Sequence, residues 1–326
     1  MAAGRVVPAV AAYPGGVPGW TSADIPDLTG RTAIVTGANS GLGLQTALEL
    51  ARHGAAVVLA VRDEARGATA RGVIRQTAPG AEVLVRRLDL ADLASVRSFA
   101  EAMAAERDDV DVLVNNAGLM AVPRATTADG FERQLGTNHL GHFALTGLLL
   151  PLLLAGTTAR VVTVSSGVAQ MGAMRFDDLQ GERRYQRWRA YAQSKLANQL
   201  FAYELDRRAR TAKVALTSVA AHPGYAATNL QGTSASGNPI GEAMMSIGNA
   251  LFAQSDAAGA LPQLYAATAP DVQGGEYYGP SSWFGMRGNP TKVAAPPQAR
   301  DLAAAALLWT RSEELTGVTY PGLDPA

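Results

Sequence analysis

Apolar residues fall into short runs separated by longer amphipathic stretches, and the alternation begins near residue 30. Runs of β-branched and aliphatic residues predict buried strands at Thr32–Thr36, Ala56–Ala60, Glu82–Arg86, Val110–Val114, Arg160–Val164 and Val214–Val219. A late strand is expected near Glu276–Tyr278. Between them, helical spacing runs over about 41–53, 63–77, 92–106, 127–155, 188–210 and 256–268. In the first of these, Leu44, Ala47, Leu48 and Ala51 share one face. Strands alternating with helices predict an α/β fold: one Rossmann-type, doubly wound parallel sheet of about seven strands, with helices on both faces.

No linker rich in Pro, Gly or charge divides residues 30–320, so one domain is expected there. Residues 1–29 read as a flexible N-terminal arm, and Val6–Ala12 is too short and Pro-broken for a secretion signal. The longest apolar run, Leu148–Ala155, is far below the ~20 residues of a membrane span. A soluble, cytoplasmic protein is expected. Irregular, Gly-rich stretches at 166–187 and 222–255 each follow a strand, where ligands of open α/β sheets bind, so they read as pocket walls.

Composition narrows the chemistry. The formal net charge of zero argues against nucleic acid or an anionic membrane as partner. The absence of cysteine excludes disulfides, thiolate nucleophiles and Cys-ligated zinc. Four histidines leave little for a metal; His139 and His142 could share a helix face, but no metal site is expected.

The stretch Thr36-Gly37-Ala38-Asn39-Ser40-Gly41-Leu42-Gly43 joins the first strand to the first helix. Glycine permits positive φ and close approach of a pyrophosphate, and the helix start offers free N–H groups and a positive dipole end. Gly37, Asn39, Ser40, Gly41, Leu42 and Gly43 are therefore the candidate phosphate cradle. The second strand ends in Val61-Arg62, where an arginine could pair with the ribose 2′-phosphate of NADP; Asp63 is the competing acidic selector for NAD. NADP(H) is favoured. Asp89, in Leu88-Asp89-Leu90, either meets the adenine or caps the next helix, with Asp92 competing for the cap. Asn115-Asn116-Ala117-Gly118 ends the fourth strand: its amides can brace the sheet, and Ala117-Gly118 lets a ribose approach.

Tyr191 and Lys195 lie four apart in a helical pattern and emerge on one face. A neighbouring ammonium lowers the pKa of a phenol and so makes it a usable acid/base. Tyr185/Arg189 and Tyr203/Arg207 repeat the spacing, yet only three of the 28 basic residues are lysine, which singles out Lys195.

Taken together and in order, these motifs resemble those of the short-chain dehydrogenase/reductase family. The match covers residues 31 to about 230. The resemblance implies Tyr191 as general acid/base, Lys195 as ribose ligand and pKa modulator, and Ser166 as orienter of the substrate oxygen, with Ser165 one residue of slippage away. It implies that Asn138, within Gln134–His139, positions water for proton relay. It also implies that Pro223, Gly224 and Thr228, in His222-Pro223-Gly224-Tyr225-Ala226-Ala227-Thr228, contact the nicotinamide. Phe176-Asp177-Asp178-Leu179 and Tyr191–Asn198 resemble the retinol-dehydrogenase-like and WW-domain-oxidoreductase-like branch. An NADP(H)-dependent oxidoreductase acting on a carbonyl or secondary alcohol is expected, with a non-catalytic dinucleotide sensor or an NAD-dependent alcohol dehydrogenase as alternatives. The family also implies a homodimer or homotetramer. Met244, Met245, Ile247, Leu251 and Phe252 could line an apolar substrate pocket or simply pack a lid helix.

Overall fold

The computed structural model describes residues 19–156, 158–224, 255–282 and 285–323. The strands are β1 (Thr32–Thr36), β2 (Ala56–Val61), β3 (Val83–Arg87), β4 (Val112–Asn115), β5 (Ala159–Val164), β6 (Leu216–Ala221), β7 (Tyr277–Ser282) and β8 (Arg287–Lys292). They form one eight-stranded sheet in the order β3-β2-β1-β4-β5-β6-β7-β8. All neighbours are parallel except β7 and β8. The order reverses between β1 and β4, so their carboxyl ends diverge into a crevice.

Successive side chains on these strands serve opposite faces. Ala33, Val35, Val57, Leu59, Val112 and Val114 enter one apolar core; Ile34, Val58, Ala60 and Leu113 enter the other. The first core lies under α1 (Gly41–Arg52), α2 (Glu64–Thr77) and a later helix, Asp256–Thr268. On the second pack α3 (Leu93–Glu106), the helices of 133–155, the long helix Arg187–Ala212 and the C-terminal helix Leu302–Thr316. In chain order these are α4 (Arg133–Leu135), α5 (Gly141–Leu148), α6 (Leu150–Ala155), α7 (Arg187–Ala212), α8 (Asp256–Thr268) and α9 (Leu302–Thr316).

The sheet departs from the sequence reading at its far edge. β8 was not foreseen because Arg-Gly-Asn-Pro-Thr-Lys shows no apolar alternation; it forms by antiparallel pairing with β7, at an edge where Pro290 is tolerated. The expected helix over 127–155 is broken. Thr126 and Glu132 form an isolated bridge, Glu132 caps α4 through Gln134 N and Leu135 N, and residues Gly136–Leu140 form a π-turn before α5. Proline 151 then opens α6. Part of the expected arm is docked: Trp20, Ile25 and Leu28 are buried, and Trp20 packs edge-on against Tyr265 at 5.1 Å. The stretch 166–187 is pinned from within, because the Asp178 carboxylate accepts N–H bonds from Glu182, Arg183 and Arg184.

Candidate active site

The glycine turn is shaped by close approach. Gly37 and Gly41 adopt φ +67° and +56°, the left-handed region that favours glycine. A Cβ on Gly43 would stand 2.5 Å from the Gly37 carbonyl oxygen and 2.6 Å from Asn116 Nδ2, so α1 can start this close to β1 only without a side chain. Outward from Gly41 the space is open, the nearest atom to a Cβ there being Asp256 Oδ2 at 3.9 Å. Ser40 makes no side-chain cap, which leaves the first N–H groups of α1 unclaimed by any side chain among the described residues. This cradle fits a dinucleotide pyrophosphate.

The next strand ends complete that half of the crevice. Asn116 Nδ2 donates to Thr36 O at 2.8 Å, while the Asn116 and Ala117 amides both donate to Thr36 Oγ1 at 2.9 Å. Asn115 instead donates to Thr146 on α5 at 3.0 Å. Asp63 is spent as the cap of α2, accepting from Ala65 N and Arg66 N. Arg62 beside it is exposed and holds no carboxylate among the described residues. Arg87, missed in the sequence, is its exposed neighbour: it pairs in register with Val61 across β2 and β3, which only the sheet order discloses. Asp92 caps α3, so Asp89 is not the cap; its carboxylate accepts from Ala91 N at 3.0 Å within its own loop. Leu90 is buried in the core, with its carbonyl 2.4 Å from where a Gly141 Cβ would stand.

Across the crevice, β5 and α7 bring Ser166, Tyr191 and Lys195 together. Tyr191 is 5% exposed and Lys195 4%. Burial pushes the Tyr191 phenol up, and the hydrogen bond with the Ser166 side chain pulls the other way. Lys195, one turn further along α7, donates its ammonium to the Val164 carbonyl at 3.0 Å, and burial brings it down to about 8. Of the adjacent serines, Ser166 faces the phenol, whereas Ser165 is buried and donates to the Lys195 carbonyl at 2.7 Å. The other tyrosines of this spacing differ. Tyr185 donates to Val122 O and is pushed up to about 12, while Arg207 is claimed by Glu204.

Asn138 sits in the π-turn, a rare geometry often found at functional sites. Its side chain accepts from Leu119 N at 2.7 Å and donates to Leu119 O and Ser194 Oγ at 2.9 Å. It thereby ties the loop after β4 to α7. A Cβ on Gly118 would lie 3.2 Å from Asn138 Oδ1 and 3.4 Å from Lys195 Nζ, so Gly118 floors the space between them. Pro223 and Gly224 follow β6, with Gly224 at φ +70°. Thr228 and the candidate pocket residues Met244, Met245, Ile247, Leu251 and Phe252 lie outside the described residues. Trp188, one turn before Tyr191, was missed: the residue is 42% exposed, and its ring stands edge-on to Tyr191 at 6.2 Å.

The family model for short chain dehydrogenases matches residues 31–238, well over half the chain. The chain belongs to the short-chain dehydrogenase/reductase family. Human retinol dehydrogenase 14 is 40% identical over 304 residues, covering 89% of this chain and 87% of the relative. Human retinol dehydrogenase 12 is 40% identical over 298 residues, at 90% and 88% coverage. These relatives place the chain in the retinol-dehydrogenase-like branch, as an oxidoreductase. A solved structure of an uncharacterised protein from Mycobacterium Paratuberculosis is 47% identical, with a TM-score of 0.77 and coverage of 93% of this chain and 99% of that one. A short chain dehydrogenase from Shigella flexneri solved with NADP has a TM-score of 0.59 at 23% identity, covering 77% of this chain and 97% of that one, and supports the fold alone. Among the described residues no helix is long and apolar enough to cross a membrane.

Proposed function

We propose that this dehydrogenase reduces an apolar carbonyl compound, or oxidises the matching alcohol, with NADP(H). The observation that carries the reading is the buried Tyr191, hydrogen-bonded to half-buried Ser166 beside Lys195, on the side of the crevice across from the glycine cradle. The bound nicotinamide supplies the hydride. In the reducing direction Tyr191 donates the phenol proton to the carbonyl oxygen, and Ser166 donates a hydrogen bond to the same oxygen. Burial keeps the phenol protonated until that moment. Lys195, brought to about 8, can give up a proton near neutrality and replenish Tyr191, with Asn138 holding the adjacent loop and helix.

Exposed Arg62, which holds no carboxylate among the described residues, supports NADP(H) with Arg87 next to it, because Asp63 is engaged as a cap. Trp188, exposed and edge-on to Tyr191, supports an apolar substrate, as do relatives named retinol dehydrogenases. Titrating the purified protein with NADPH and NADH, followed by nicotinamide fluorescence, tests the cofactor reading. Tighter NADPH binding is expected; equal or tighter NADH binding would remove the role given to Arg62.

A further inference from the structure

Between the cradle and the catalytic helix lies a buried histidine that neither half needs for contact with a ligand. His142, in the first turn of α5, is 1% exposed. Its Nδ1 lies 2.9 Å from the backbone carbonyl of Asn138 and its Nε2 lies 2.9 Å from Thr36 Oγ1. A carbonyl only accepts, so Nδ1 must carry the ring proton. Nε2 is then an acceptor, and the Thr36 hydroxyl donates to it. That hydroxyl has one proton and two lone pairs. The proton goes to His142, and the lone pairs receive the Asn116 and Ala117 amides at 2.9 Å. The Val114 carbonyl, at 3.3 Å, is the longer alternative and would leave Nε2 buried without a partner.

We infer that His142, as the neutral Nδ1–H tautomer, is a positioning residue that couples the dinucleotide side of the crevice to the catalytic side. This rests on the proposed function, which makes Asn116–Ala117 a cofactor contact and Asn138 a support of Tyr191 and Lys195. One arm of the imidazole fixes Thr36 and, through it, the amides at the end of β4. The other fixes the π-turn, from which the Asn138 side chain reaches Leu119 and Ser194; the Ser194 hydroxyl in turn donates to Tyr191 O at 2.8 Å. His142 touches neither substrate nor cofactor. It makes the position of one half depend on the other. Protonation would break this arrangement by removing the acceptor, and burial together with the nearby Lys195 charge opposes it.

The arms can be cut separately. In His142→Asn the amide takes the place of Nδ1 and keeps the Asn138 arm. In His142→Gln it takes the place of Nε2 and keeps the Thr36 arm. His142→Phe removes both. Amide hydrogen exchange of the free protein should therefore quicken at Asn116 and Ala117 in the Asn variant, at Leu119 and residues 136–142 in the Gln variant, and at both in the Phe variant. In the unaltered protein NADPH should slow exchange at residues 136–142 as well as at Asn116–Ala117; in His142→Phe only the second slowing should remain. Nitrogen-15 spectra of the histidines, assigned by difference with His142→Phe, should show protonated Nδ1 and bare Nε2 from pH 6 to 8.

The inference is overturned by the opposite tautomer, by indistinguishable exchange in the Asn and Gln variants, or by undiminished NADPH protection of 136–142 in the Phe variant. If the unaltered protein binds no NADPH, the dinucleotide reading fails instead, and the tautomer and the Asn/Gln contrast still decide the role of His142. Should the Phe variant not fold, those two readings suffice, with assignment taken from His142→Gln.

Discussion

The two walls of the crevice are built by opposite means. On the wall formed by β1, α1 and β2, the decisive feature is missing side chains: Gly43 lets α1 press within contact of Gly37 and Asn116. On the wall formed by α5, α7 and β5, the decisive feature is buried polar side chains with partners, among them Asn138, Ser165, Lys195 and His142. The first wall fails by collision, the second by leaving a buried polar group unpaired. Backbone geometry suits a ligand held by its phosphates, whereas a reaction that moves protons needs titratable groups held out of water.

The sharpest way to break this comparison is to crowd the first wall. Gly43→Val adds side-chain atoms beyond a Cβ that already collides with backbone, so NADPH affinity should fall by at least about a hundredfold, since a 2–3 kcal/mol misfit is readily reached by overpacking. Fluorescence titration measures it, and near-normal affinity would show that the turn is not a cradle held by contact.

The second wall can be probed with acid. His139, His142 and His222 are buried and lowered to about 3, 4 and 4, against about 6.5 unfolded. Groups depressed in this way bind more protons unfolded than folded, so stability is lost as pH falls from about 6.5 toward 4. Three such groups give a loss of roughly 5 kcal/mol between pH 7 and pH 5. Buried Glu132 and Asp206 and half-buried Asp256 are raised and act in the opposite sense. Denaturant midpoints of the unaltered protein and of His142→Phe across that range check the slope: the variant should lose less stability, and an equal loss would mean that His142 is not buried as a neutral ring.

The smallest effect is selectivity at the edge of the first wall. Arg62→Ala should reduce the preference for NADPH over NADH by about tenfold to a hundredfold, the worth of a charge-assisted bond, while leaving NADH affinity almost unchanged. An equal loss for both cofactors would place Arg62 elsewhere than at the 2′-phosphate.

The difference between the walls also explains what could be read from the sequence. The glycine turn, the strand ends and the Tyr191–Lys195 spacing are local patterns, so the strand-and-turn framework was legible there. What depends on contacts between distant segments was not. The π-turn at Gly136–Leu140 hides within an apolar, helix-like run, and β8 owes its existence to a neighbour. Arg87 meets Arg62's strand only through sheet order. The C-terminal helix α9 was overlooked although its signals are local: Asp301 caps it and Gly317, at φ +62°, ends it.

The central claim is that the Tyr191 hydroxyl donates the proton and is not needed to hold the cofactor. Tyr191→Phe keeps the ring and removes only the hydroxyl. NADPH affinity of this variant should match that of the unaltered protein within about twofold, while NADPH-dependent reduction of apolar aldehydes and ketones should fall by at least about a thousandfold. Retained turnover would contradict the account.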